Sequence, residues 1–163
     1  MQRRDVFPIL ALGTFGWPSL SPAQTAGSPA ETDMAAEGAV PGLDIIDAAD
    51  VTLDDFLWTR RPIVVFADTP ADPRFAEQLR LLSAQPGELI ERDVVVITDT
   101  DPSAQSAVRR QLRPRGFQLA LVGKDGQVKL RKPSPWSVRE ISRTIDKMPM
   151  RQREIRERRA GAG

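Results

Sequence analysis

Three residue types are missing from this 163-residue chain: it has no Cys, no His and no Tyr. Without a thiolate there is no cysteine nucleophile, no disulfide and no thiol–disulfide exchange. Without Cys or His, the usual zinc sites and haem ligation by those residues are closed, and so is imidazole acid–base catalysis. Chemistry would have to come from Asp, Glu, Lys, Arg or Ser. The nine serines include no Gly-x-Ser-x-Gly elbow and have no imidazole to activate them. No cofactor or metal is implied. What is present is a chain of single-domain length with 40% apolar residues, enough to bury one core once the tails are set aside.

The first 23 residues read as an address. Arg3-Arg4 is followed by an apolar run from Val6 to Leu20 and then by Ser21-Pro22-Ala23. A basic start, a short apolar stretch and small residues at the end make a secretory signal peptide, with cleavage placed after Ala23. Pro8, Gly13, Gly16 and Pro18 interrupt the run, and it is too short for a good membrane span. The arginine pair also fits a twin-arginine signal, but such pairs occur in ordinary leaders too, so both export routes stay open. With no cysteine there is no lipoprotein anchor. The expected location is the periplasm or the exterior of a bacterium, with no membrane span in the mature chain.

Charge divides that mature chain. Its 21 basic and 21 acidic side chains balance, which argues against nucleic acid as the main partner. Residues 24–42 are mostly small and polar and are expected to form a disordered linker. Residues 24–57 carry eight acidic and no basic side chains, whereas 147–163 carry six basic and two acidic ones. The expected domain runs over 43–150, with 151–163 as a basic tail. Arg151, Arg153, Arg156, Arg158 and Arg159 read either as a solvated helical face paired with Glu154 and Glu157, or as a polyanion-binding surface.

The centre alternates between strands and helices. Pro62 to Ala67 is a continuous apolar run, as for a strand buried on both faces, and Asp93 to Thr98, apolar from Val94 to Ile97, is a second buried strand. Asp72-Pro73 and Asp101-Pro102 each supply an N-cap followed by proline at the first helical position. They predict one helix with Phe75, Leu79 and Leu82 on its inner face and another with Ala104, Val108 and Leu112. Phe117 to Val122 is a third strand. Asp125-Gly126 signals a tight hairpin into a strictly alternating fourth strand, Val128 to Lys132, near a sheet edge. Ser134-Pro135 opens a last helix with Val138, Ile141, Ile145 and Met148 inward, ended or kinked at Met148-Pro149. The order β-α-β-α-β-β-α, closed by a hairpin where an open flavodoxin-like sheet needs a helix, is that of an α/β thioredoxin-like sandwich.

Several stretches carry a resemblance. They are Arg60-Arg61-Pro62-Ile63-Val64-Val65-Phe66, Glu91-Arg92-Asp93-Val94, Leu119 to Gly126 with Val128-Lys129-Leu130, and Ile145-Asp146-Lys147-Met148-Pro149-Met150-Arg151 with Glu154. Together they resemble domain-of-unknown-function family 4174 over roughly residues 50–154, with Met-Pro-Met-Arg as the most specific part. The resemblance implies a thioredoxin-like fold in exported alphaproteobacterial proteins and animal extracellular-matrix proteins. It implies no catalytic residues. Where redox members of that fold carry Cys-x-x-Cys, this chain has Ala67-Asp68-Thr69-Pro70-Ala71-Asp72-Pro73, with Pro70 and Pro73 in the cysteine positions. The proline that usually precedes the third strand is absent as well, its place being taken by Phe117-Gln118.

Five residues remain as candidate ligand contacts. Asp68 and Thr69 lie just beyond the first strand, at the rim where open α/β sheets bind ligands; neighbouring Asp72 and Asp101 are explained as caps and Asp99 as a turn residue. Lys124 and Asp125 form the hairpin turn and are equally explained as solvated. Arg151 pairs with Asp146 around the Met-Pro break or belongs to a docking surface. Arg109, Arg110, Arg113 and Arg115 suit the end of the second helix, with an anion site there as the runner-up, and Trp58 and Trp136 are expected in core or rim packing. The function expected is a non-catalytic binding or interaction module for an envelope protein or a small ligand. The alternatives are a polyanion- or envelope-surface-binding protein acting through the arginine tail, and a cysteine-free peroxiredoxin-like relic with a carboxylate site. No pattern specifies an oligomeric state.

Overall fold

The computed structural model describes residues 42–162; the signal peptide expected at 1–23 and nearly all of the linker expected at 24–42 lie outside the described residues. The strands are β1 (Ile45–Asp47), β2 (Arg61–Phe66), β3 (Val94–Asp99), β4 (Gln118–Val122) and β5 (Val128–Lys132). The helices are α1 (Pro73–Ala84), α2 (Pro86–Ile90), α3 (Ala107–Leu112), α4 (Val138–Asp146) and α5 (Pro149–Ala160). The five strands form one mixed sheet in the order β1-β3-β2-β4-β5. β2 and β3 run parallel, Arg61 opposite Val94 and Phe66 opposite Asp99. β4 pairs antiparallel with β2, and β5 with β4. A βαβ unit closed by a hairpin and a helix is thioredoxin-like.

Every residue of β2 is buried because the sheet is covered on both sides. Ile63 and Val65 face a core with Leu82, Leu89, Leu119, Ile141 and Ile145. Val64 and Phe66 face the other, with Leu53, Ile97, Val108 and Leu112. The period-2 alternation of strand side chains divides a continuous apolar run between two cores. Gln78, fully buried on α1, ties the first core together: its Nε2 donates to the Trp136 carbonyl at 3.0 Å, and the Trp136 N–H donates to its Oε1 at 2.7 Å.

Three expectations change. The chain adds β1, only three residues long, parallel to β3 at the sheet edge. The helix expected after Asp101-Pro102 is split. Asp101 caps only a single 3-10 turn at Pro102–Ala104, and Gln105 takes a left-handed conformation (φ 48°). Ser106 then caps α3, its Oγ accepting from the Arg109 N–H at 2.9 Å while donating to Asp99 at 2.6 Å. Ala104 is exposed and lies off the inner face. The basic segment at the C-terminus is helical as far as Ala160: α4 closes at Asp146 with Lys147 as its C-cap, and Met148 is the N-cap of α5, with Pro149 at its first position. Its Arg151 is buried, so the packed structure continues past residue 150.

Candidate functional site

The chemistry-bearing side chains gather at the two ends of β2, about 17 Å apart for five strand steps. At the C-terminal end lies the strand-to-helix junction from Ala67 to Pro73. Asp68 is 64% exposed, with its Oδ1 3.9 Å from Arg109 Nη1. Thr69 is exposed and spends its hydroxyl on a turn, accepting from the Ala71 N–H at 3.3 Å. Asp72 caps α1 as expected, accepting from the Arg74 N–H at 2.9 Å.

One residue here differs from its sequence reading: Asp99 is a buried strand end, not a turn residue. Arg109 lies in the last turn of α3, as read from the sequence, and is buried against Asp99. Arg109 Nη2 and Nε reach Asp99 Oδ1 at 2.7 and 2.9 Å, and Nη2 also donates to the Ala67 carbonyl at 2.9 Å. The guanidinium stands 5.4 Å from the Phe66 ring centroid. With its charge balanced, this arginine seals the strand end. Arg110 and Arg113 line an open hollow of about 490 Å³ beside Asp68; the Arg110 guanidinium donates to the Gln105 carbonyl.

At the N-terminal end, side chains from distant segments converge. Arg61, at the start of β2, is 1% exposed and donates from Nη2 to Glu154 Oε1 on α5 at 2.7 Å and from Nη1 to the Arg92 carbonyl at 2.8 Å. Lys124 Nζ sits 2.9 Å from Asp93 Oδ2 and 3.0 Å from Glu154 Oε1. Arg92 holds Asp146 in a two-pronged pair at 2.8 and 3.0 Å. Arg151, also 1% exposed, bonds Glu91 at 3.0 Å, with Asp146 and Glu154 carboxylates 3.6 and 3.5 Å away. Lys124 is thus no solvated hairpin cation, and Arg151 belongs to the interior, not to a free tail. The Asp146–Arg151 pair is present at that longer range.

Burial raises the Glu154 carboxyl, but hydrogen bonds and charge from Arg61 and Lys124 outweigh it and hold the group below the ordinary glutamate value. Asp125 follows the same pattern: burial raises it, and Lys129, bonded at 2.6 Å, with the Gln127 N–H brings it down. That pair folds over Gly123, where a Cβ would come within 2.5 Å of Asp125 Oδ1 and 2.7 Å of Lys129 Cε. Gly126, at φ 72°, completes the turn.

Beside this network lies a cleft of about 210 Å³ between the hairpin and the start of α5. Met148, Pro149 and Met150 form its apolar wall, with Lys124, Lys129 and Arg153 around it. No side chain caps the α5 N-terminus. Trp58, expected in packing, is instead 69% exposed and held at φ 63°, its N–H donating to the Lys124 carbonyl at 2.7 Å.

The structure therefore brings Lys124, Asp125 and Arg151 to one end of the sheet and leaves Asp68 and Thr69 at the other. Sequence reasoning missed Arg61 and Asp93 as partners of these residues, and had Glu154 only as a helical partner of the tail arginines, not of Arg61 and Lys124. The signal was there: the stretches that carry the family resemblance supply Arg61, Glu91 to Asp93, Lys124 to Gly126, and Asp146 to Glu154, and these form the network.

Fold and site together define a thioredoxin-like domain without thiol chemistry. The chain belongs to the family described as Domain of unknown function (DUF4174), whose profile matches residues 52–154. It is 31% identical over 133 residues to coiled-coil domain-containing protein 80 of Danio rerio, covering 63% of this chain and 15% of that protein's length. Among solved structures it is similar to Prx1a of Plasmodium yoelii, with 17% identity, TM-score 0.49, and coverage of 63% of this chain and 81% of that one. It is similar also to a chloroplastic thioredoxin z (18%, TM-score 0.48, 64% and 92%) and to desulfothioredoxin of Desulfovibrio vulgaris Hildenborough (18%, 0.47, 64% and 97%). No helix among the described residues is long and apolar enough to cross a membrane.

Proposed function

We propose that this chain is an exported, non-catalytic binding module whose recognition surface is the N-terminal end of the sheet, not the end where redox members of the fold work. The observation that carries this reading is convergence. Segments up to 93 residues apart meet in one ion-pair network, and they leave beside it a cleft that is apolar on one wall and cationic around it. A surface of that character suits recognition of a partner by a few buried contacts within a polar rim. The opposite end supports chemistry less well: Pro70 and Pro73 stand at the thiol positions, and Asp99 is neutralised by Arg109. A carboxylate-based relic enzyme would have to rely there on exposed Asp68, which has no activating base. Export rests on the leader read at residues 1–23.

Affinity capture from a periplasmic extract tests the reading, with residues 24–163 immobilised as wild type, Met150→Asp and Asp68→Ala. A stoichiometric partner released by Met150→Asp and retained by Asp68→Ala supports it. The reverse pattern, or a small molecule or metal retained only while Asp68 is intact, would move the site to the other end of the sheet and reopen catalysis.

A further inference from the structure

The arginines of α5 are not equivalent. Arg151 and Arg158 turn toward the body of the protein: the first is buried in the network, and the second reaches Asp93 Oδ2 at 3.8 Å. Arg153, Arg156 and Arg159 follow one another at intervals of three, are exposed, and make no ion pair among the described residues. At 100° per residue Arg153 and Arg156 lie on the face away from Arg151 and Arg158, with Arg159 at the flank of that face about 80° from Arg151, and over six residues the three extend about 9 Å along the axis. The first of the three also lines the cleft walled by Met148, Pro149 and Met150. One surface thus offers an apolar recess followed by three exposed arginines, with the single carboxylate of Glu157 exposed among them.

Resting on the binding-module reading above, we propose that this surface binds an acidic peptide segment of a partner protein. One aliphatic or aromatic side chain of the peptide enters the recess, and its carboxylates lie along Arg153, Arg156 and Arg159. Charge complementarity sets the sign of the partner. The recess sets its class. A space of about 210 Å³ with thioether and proline walls accommodates a single apolar side chain, which a sulfated glycan or a nucleic-acid backbone does not carry. Asp125 on the same cleft wall opposes a densely charged polyanion, whereas a peptide can place a neutral residue there. Methionine walls adapt to different inserted shapes.

The test uses the mature chain, residues 24–163, and the fluorescein-labelled dodecapeptide (Glu-Glu-Leu)₄, read by fluorescence anisotropy in 20 mM and 200 mM NaCl. The expected result is saturable 1:1 binding that weakens with salt, with (Glu-Glu-Ser)₄ at least tenfold weaker because it lacks the apolar insert. Arg153→Glu with Arg156→Glu, and separately Met150→Asp, should each lose at least tenfold while circular dichroism stays that of the wild type. Arg110→Glu with Arg113→Glu, at the far end of the sheet, should bind as wild type does. Equal binding of (Glu-Glu-Ser)₄, or full competition by a heparin dodecasaccharide at equal charge, would overturn the proposal in favour of a general polyanion surface. No binding at 20 mM NaCl would overturn it as well. In that event the broader reading is decided independently, by whether Met150→Asp still releases the captured partner.

Discussion

The two ends of β2 both bury arginine, and they do so by opposite designs. At the C-terminal end one guanidinium bonds one buried carboxylate, with exposed Asp68 at 3.9 Å: Arg109 and Asp99 are ten residues apart, and Arg109 spends its remaining hydrogen bonds on backbone carbonyls. At the N-terminal end Arg61, Arg92, Lys124 and Arg151 share Glu91, Asp93, Asp146 and Glu154, and the longest link spans 93 residues. The local pair closes a strand end, beside an open hollow that has no apolar wall like that of Met148 to Met150. The shared network joins β2, the α2–β3 turn, the hairpin and α5, and the cleft lies among these elements. Charge used in closed pairs seals a surface; charge pooled among distant segments shapes one.

If that contrast is right, the closed pair is the fragile one. Arg109→Met leaves Asp99 buried with only the Ser106 hydroxyl beside it, and removing one partner of a buried pair costs about 3–5 kcal/mol. Urea unfolding of the variant should show a loss of that size. Glu154→Gln at the other end should cost less, about 1–3 kcal/mol. Arg61 keeps the Arg92 carbonyl and Asp93 at 3.7 Å, and Lys124 keeps Asp93 at 2.9 Å. A loss as large as that of Arg109→Met would show that the network is no more redundant than a single pair.

Acid sharpens the same difference. The Glu154 carboxyl is depressed in the folded chain by Arg61 and Lys124 against the opposing effect of burial. Between its folded value and the ordinary one, near 4.3, the unfolded chain binds more protons. Its contribution is therefore complete above about pH 4.3 and is lost as pH falls through the lower, folded value. Stability measured by urea from pH 7 to pH 3 should fall in that interval, and Glu154→Gln should flatten part of the fall. The variant's curve retains a slope from Asp125 and from the capping and paired carboxyls of Asp72, Glu77 and Asp101, which are also depressed. An unchanged slope in the variant would mean that Glu154 is not held by its two cations.

What could be read from sequence divides along the same line. β2, β3, β4 and β5 announce themselves by apolar runs, alternation and the Asp-Gly turn, because those are local patterns. β1 does not: Ile45 and Ile46 are two apolar residues within an acidic stretch, and only pairing with β3 makes them a strand. The caps at Asp72 and Asp101 were legible, but the break at Gln105 was not, since it follows from Ser106 and Arg109 reaching back to Asp99. Lys124 and Arg151 read as surface cations for a similar reason. Their partners Asp93, Glu91 and Glu154 lie 31, 60 and 3 residues away, and only the fold turns the nearest of these, Glu154, into a member shared with Arg61. Convergence of the family-bearing stretches was the one non-local hint.

The smallest expected effect concerns backbone strain, which both ends also contain. Gln105 and Arg113 take positive φ beside the rim hollow, and Trp58 and Asp93 do so beside the network. Asp tolerates the left-handed region, whereas a bulky aromatic residue there is an outlier. With its ring 69% exposed, Trp58 loses little burial on truncation. Its backbone N–H continues to bond the Lys124 carbonyl whatever the side chain. Trp58→Ala keeps a Cβ and hence the strain. Trp58→Gly removes it, at a cost of about 0.5–1 kcal/mol in unfolded-state entropy. With left-handed strain of about 1–2 kcal/mol for a residue bearing a Cβ, the glycine variant should be more stable than the alanine variant by up to about 1.5 kcal/mol in urea unfolding. Both should bind the Glu-Glu-Leu dodecapeptide less tightly than wild type, about three- to tenfold, if an exposed tryptophan tied to the hairpin turn adds a second apolar contact. An alanine variant as stable as the glycine variant would assign the unusual backbone to an unstrained turn. Binding unchanged in both would confine recognition to the methionine cleft and the α5 arginines.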